Sequence, residues 1–274
     1  MFGSAIIVFR ETLEAALLIG IIAAATRGLS GRNLWLAIGM GAGLAGSLVV
    51  AGLTGTIAEM AEGAGQELFN AAILGIAVLM LGWHNIWMAT HGREMAAQAK
   101  SVGLAVKSGQ REMSALAILI ALAVLREGSE TALFLYGLAA SDGSSRVSLL
   151  SGGLLGLAAG IAAGWALYSG LSRIPLRHFF TVTSVLILFL AAGMAGQMAR
   201  LLIQGDIIRP LASPLWDSSS LLPMDSFAGN LLHLFAGYEA RPSGMQVLFY
   251  TLTFLIILAG MRWNRPRPRQ ATAT

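Results

Sequence analysis

"LREGSETALF", residues 125–134, sets one arginine and two glutamates in the middle of an apolar run long enough to cross a bilayer. "FRETLEAALL", residues 9–18, does the same near the start of the chain. On a helix turning about 100° per residue, Arg126, Glu127 and Glu130 share an arc of roughly 100°, and so do Arg10, Glu11 and Glu14. Each ionisable group at the centre of a membrane helix costs roughly 2.5 to 3.5 kcal/mol on insertion scales, so six cost on the order of 15 to 20 kcal/mol before pairing. Two structural ion pairs, Arg10 with Glu14 and Arg126 with Glu130, leave Glu11 and Glu127 over. Buried carboxylates without partners demand a proton or a cation.

The rest of the chain agrees that these are membrane segments. Its 274 residues are 56% hydrophobic and 12% charged, and the mean hydropathy is +0.72, too apolar for an ordinary soluble domain. Runs of bilayer length recur at 2–26, 34–58, 68–91, 113–140, 147–172, 179–205 and 245–262, which predicts an all-α, polytopic protein with seven transmembrane helices. The runs are apolar all round, without the alternation of an outer-membrane barrel. No basic stretch precedes the first run and charges interrupt it, so it reads as a retained helix rather than a cleaved signal. Cysteine is absent, which excludes disulfides and thiolate ligands.

The basic residues set the orientation. The links at 27–33, 92–112 and 173–178 and the tail from 263 hold most of the arginines and lysines, from Arg27 to Arg269, while the other side holds Arg146, Arg200, Arg209 and Arg241. The positive-inside rule then puts the N-terminus outside and the C-terminus in the cytoplasm. It also explains the pI near 10.0 without nucleic acid as a partner. The basic connector 92–112 is expected at the anionic lipid surface, and the proline-rich tail is expected to be disordered.

Arg126 lies 116 positions after Arg10, and the same shift carries the second and third runs close to the fifth and sixth. The chain reads as one transport domain: a repeat at about 1–91, the connector 92–112, a second repeat at about 113–205, an extracytoplasmic loop 206–244, and a last helix 245–262. An odd number of spans per unit inverts the second repeat relative to the first, the plan of many secondary transporters. Gly152, Gly156, Gly160 and Gly164, with Gly39, Gly43 and Ser47 in the earlier repeat, form ridges suited to close helix packing. If the first and fourth helices touch, four carboxylates converge, offset in part by two arginines. Oxygen donors alone suit calcium, magnesium, manganese or ferric iron better than copper or zinc.

Two R-E-x-x-E motifs on the first and fourth of seven helices resemble those of the oxidase-dependent iron transporter family, which includes fungal iron permeases and bacterial Efe-type permeases. "LGWHNIWMATHGREM", residues 81–95, is similar to their third helix, and "PLWDSSSLLPMDSFAGNLLHLFAGYEARPS", residues 214–243, to their outer loop. The resemblance implies import of iron, ferrous or ferric, across the bacterial cytoplasmic membrane, with iron as cargo and no prosthetic group. It further implies that Glu11, Glu14, Glu127 and Glu130 carry the metal with Arg10 and Arg126 in support. Relatives work with an oxidase, or with a periplasmic iron-binding protein and a peroxidase. Thr12 and Ser129 stand where the family's usual R-E-G-L-E has glycine and leucine, and Arg200, Leu201 and Gln204 stand where relatives often carry histidine and acids. Manganese or lead transport, or proton-coupled cation exchange on the same fold, remain alternatives. An intramembrane protease fits less well, since the E-E-x-x-x-R order of such enzymes is missing.

Other polar residues carry weaker signals. His84 and His91 share one face of the third run, and polar packing explains them more simply than ligation. Asp217 and Asp225 in the outer loop, with Gln204 and His84, are candidates for an entrance or a relay.

Overall fold

A backbone in lipid must satisfy its own N–H and C=O groups, and for these apolar runs the helix is the local solution. The computed structural model describes residues 2–60, 66–142, 145–169, 176–224 and 226–263. Every regular element among them is a helix: α1 (Phe2–Ala25), α2 (Arg32–Met60), α3 (Gln66–Lys107), α4 (Ser114–Asp142), α5 (Arg146–Tyr168), α6 (Leu176–Gln204), α7 (Phe227–Ala236) and α8 (Gly244–Trp263). Five are both long and apolar enough to cross a membrane, within α2, α3, α5, α6 and α8. The motif helices α1 and α4 have 24 and 29 residues, ample length, but each carries three charges near its middle. Asp225 and the tail from 264 lie outside the described residues.

Most of the connector expected at 92–112 is helical and continuous with the third run. α3 runs on through it to Lys107, 42 residues in all, or about 63 Å of helix. The extension buries Ala99 and Val106 against Ile22 of α1 and Leu116 and Ile120 of α4. Alanines and a valine at helical spacing supply an apolar face there, and α3 stops only where Gly109 takes a φ of +76°.

Within 206–244 the stretch "FAGNLLHLFA" forms α7. Ser226 caps its start by accepting from the Gly229 amide, and Gly237, at φ 65°, ends it. Gly237 also meets Gly193 of α6 backbone to backbone: a Cβ on Gly193 would stand 3.0 Å from the Gly237 Cα.

The order of contacts fixes helix directions. Gly3 of α1 meets Leu138 of α4, and Ile7 joins Phe134 in one core cluster. At the other end Ile22 joins Leu116 and Ile120, so α1 and α4 are antiparallel. α5 lies along α1 in the same direction, Gly156 opposing Ala5, Gly160 opposing Thr12 and Gly164 opposing Ala16. α2 lies along α4 likewise, with Gly39 against Ala117 and Gly43 against Val124. A Cβ on Gly39 would come within 2.6 Å of the Ala117 carbonyl oxygen, so the glycine ridges do permit the approach expected of them. Ser47 Oγ donates to the Gly43 carbonyl at 2.9 Å and reaches the Val124 carbonyl at 3.3 Å. α3 and α6 are antiparallel, with Asn85 Nδ2 donating to the Ser184 carbonyl at 2.9 Å.

Two apolar clusters result, one around Ile7, Leu81, Phe134 and Ile187 and one around Ile22, Leu116 and Ile120. Residues 10–14 of α1 and 126–130 of α4 fall between them. The opposite faces of α2 and α5 expose Leu44, Leu48 and Leu53, and Leu150, Leu154 and Ile161, the apolar surface that lipid would cover.

Candidate metal centre

The antiparallel crossing brings both motifs to one level. Arg10 Nε lies 3.0 Å from Glu14 Oε1, one turn on, and Arg10 Nη1 lies 3.5 Å from Glu11 Oε1. In α4 the pairing differs. Arg126 Nε donates to Glu127 Oε1 at 2.9 Å and Nη2 closes on the same oxygen, whereas Glu130 Oε1 stands 3.8 Å from Arg126 Nε. The expected Arg126–Glu130 pair is therefore secondary, because the neighbouring carboxylate offers its oxygen to two guanidinium nitrogens at once.

His84 of α3 completes the cluster. Its Nδ1 abuts Glu130 Oε2, and its Nε2 lies 3.4 Å from Glu14 Oε2 and 3.7 Å from Glu11 Oε2. Polar packing is the simpler expectation for this residue and a relay the other; the structure sets both ring nitrogens against carboxylates. Trp83 is turned outward, 73% exposed. Trp87 lies under the Arg126 guanidinium, 5.5 Å from ring centroid to Cζ, and stacks on His91.

One ligand atom from each of Glu11, His84, Glu127 and Glu130 falls within 4.8 Å of all the others. Glu14 stands beside this group, engaged by Arg10. Most of the set is buried: Arg10, Glu11, Glu14 and Glu127 are each at most 3% exposed. Glu11 Oε2, Glu14 Oε1 and Glu127 Oε2 have no hydrogen-bond partner, and Glu130 Oε2 and Glu14 Oε2 are met by the two sides of the His84 ring. The Glu14 Oε1 contact with Arg10 is thus a charge contact at 3.0 Å without hydrogen-bond alignment. Buried carboxylate oxygens left unpaired are expensive, and here they converge on one space. Four carboxylates and two guanidiniums leave a formal charge of minus two, which a divalent cation balances.

The remaining candidates lie elsewhere. Gln204 lines a cavity of about 340 Å³ with Arg200, Glu239, Arg241 and Gln246, between the end of α6 and the loop that follows it. Asp217, in that loop, pairs with Arg241 at 2.9 Å and accepts from Ser219. Those bonds, Ser219 first and Arg241 next, hold its carboxyl down at about 2. Neither residue belongs to the buried cluster.

Comparison with known proteins gives this geometry its context. The ferrous iron permease EfeU of Escherichia coli O6:H1 (strain CFT073) is 34% identical over 252 residues, covering 90% of each chain. That of Escherichia coli O157:H7 is 32% identical over 267 residues, 94% of this chain and 95% of the relative. That of Yersinia pestis is 31% identical over 255 residues, 91% of this chain and 89% of the relative. No solved structure matches the chain. The profile of the iron permease FTR1 family matches residues 1–264, and the chain belongs to that family of multi-pass membrane transporters, not enzymes.

Proposed function

We propose that this protein imports iron across the cytoplasmic membrane, in the ferrous form, through the buried cluster of Glu11, Glu14, Glu127 and Glu130. The observation that carries the reading is the convergence of unpaired carboxylate oxygens from antiparallel α1 and α4 between two apolar clusters. A cation entering that space meets oxygen donors in a medium that strengthens their attraction. Arg10 and Arg126 orient individual carboxylate oxygens and limit their repulsion when the space is empty. They also temper affinity, which lets the ion leave.

In this reading all seven long helices span the membrane with the N-terminus outside, α7 belongs to the outer loop, and α1–α3 and α4–α6 are inverted repeats. Exchanging α1 with α4, α2 with α5 and α3 with α6 maps the α1·α5 packing onto α4·α2 and returns the α1·α4 and α3·α6 pairs to themselves. That symmetry supports alternating access by rocking of one repeat against the other. Arg126 is one-third exposed while Arg10 is 1% exposed, so the cluster is approachable from the α4 side and sealed on the α1 side.

Uptake into proteoliposomes with ferrous, ferric, manganous and lead ions, with and without a pH gradient, tests the reading. Ferrous iron is expected to accumulate, and Glu14→Gln and Glu127→Gln are each expected to abolish accumulation at unchanged protein abundance. Wild-type uptake by both variants would overturn it, and preference for manganese would redirect it.

A further inference from the structure

We infer that His84 is a direct nitrogen ligand of the transported ion and the residue that sets the site apart from a calcium or magnesium site. The inference rests on the buried cluster being the iron site, and it adds to the four motif glutamates a fifth donor from a third helix.

The argument starts from the imidazole's surroundings. Both ring nitrogens face carboxylate oxygens, Nδ1 toward Glu130 and Nε2 toward Glu14 and Glu11. A neutral imidazole has one N–H and one lone pair, so only one side is served by a proton. The tighter contact, with Glu130, takes the N–H. Nε2 then faces Glu14 Oε2 at 3.4 Å and Glu11 Oε2 at 3.7 Å, both longer than an ordinary N–H···O bond, in the place from which a lone pair would meet a cation. A proton on Nε2 would serve one of these oxygens, whereas a metal cation between them would hold the nitrogen and both oxygens together.

The spacing suits one. Two atoms each about 2.1 Å from a shared metal stand about 3.0 to 3.4 Å apart in octahedral or tetrahedral geometry. His84 Nε2 lies 3.4 Å from Glu14 Oε2 and 3.7 Å from Glu11 Oε2, a gap that needs a contraction of a few tenths of an ångström. The Glu130–His84 contact is then the carboxylate–histidine support that metal-binding imidazoles use to hold ring orientation. His84 is 5% exposed, so its ring is held by protein groups and not by bulk solvent. Its backbone is braced by the next residue, Asn85, bound to the Ser184 carbonyl of α6 at 2.9 Å.

The chemical consequence is selectivity. An all-carboxylate cage suits hard cations such as calcium and magnesium, whereas an imidazole nitrogen favours iron and later first-row metals. Glutamates alone give charge; His84 gives discrimination.

X-ray absorption at the iron edge, on the full-length protein in detergent loaded with ferrous iron under anaerobic conditions, tests the inference. The expected wild-type spectrum carries the multiple-scattering signature of one imidazole. In His84→Asp that signature is lost, and the binding preference for ferrous iron over calcium, measured by competition, falls by about tenfold or more. A wild-type spectrum without imidazole scattering overturns the inference even if the variant does not fold, and so does an unchanged preference in a folded His84→Asp. Glu11→Gln and Glu127→Gln separate the two readings. If they lose iron while the wild type lacks imidazole scattering, only the role of His84 fails; if they bind iron as the wild type does, the cluster itself is not the site.

Discussion

Arg10 and Arg126 occupy matching places in the two motifs, yet Arg10 is 1% exposed and Arg126 is 33% exposed. Removing a buried partner leaves its carboxylates uncompensated, at about 3 to 5 kcal/mol. Arg10→Ala is therefore expected to lower the melting temperature in detergent severely. Arg126→Ala, part-screened by its surroundings, is expected to lose roughly 1 kcal/mol. Equal losses for the two variants would contradict the asymmetry.

Gly43 of α2 would place a Cβ 2.7 Å from the Val124 Cβ and 2.8 Å from the Ala121 carbonyl oxygen. Overpacking of this kind costs about 1 to 3 kcal/mol, so Gly43→Val is expected to reduce folded yield and thermal stability. Gly41, two residues away, has nothing within 4 Å of the same position, and Gly41→Ala is expected to be neutral. Size-exclusion profiles and melting curves of the pair provide the check.

Gly237 combines φ 65° with a Cβ position 3.0 Å from Tyr250 Cε2 and closer still to the Gly193 backbone. Any side chain there meets left-handed strain of about 1 to 2 kcal/mol as well as collision with α6. Gly237→Ala should undock α7, seen as faster proteolysis between residues 218 and 240 while the long helices stay protected.

Asp217 links pH to the outer loop. Its carboxyl is lowered from 3.8 to about 2, so its contribution is complete above the unfolded value and disappears as pH falls through about 2. The Asp217–Arg241 contact should thus survive at pH 4. A carboxyl-carbon titration of labelled aspartate should show one group moving near 2, and Arg241→Gln should raise it.

Where the sequence was informative, hydrophobic length did the work. The run at 113–140 became α4 (Ser114–Asp142) and that at 245–262 became α8 (Gly244–Trp263), because bilayer thickness dictates both. The end of α3 was hidden: "AAQAKSVGLAVK" lacks the apolarity of a span, and its burial depends on contact with Ile22 and Leu116 far along the chain. The glutamates announced themselves by being charged in an apolar run. His84 had no such contrast, since a lone histidine is tolerated at an interface, and only the approach of α1 and α4 reveals what it faces. The swap of partners in α4, Glu127 in place of Glu130, lies in rotamers that spacing cannot specify.

The packing of α1 against α5 and of α2 against α4 has a consequence for how the protein is made. α1 emerges from the ribosome more than a hundred residues before the helix that clasps it, carrying one arginine and two glutamates that can pair only with one another and leave one negative charge over. Until α3, α4 and α5 are synthesised, His84, the second motif and the complementary glycine face do not exist. Full burial of the charges on the first helix is therefore expected to wait for the second half of the chain, which supplies the helices that cover them.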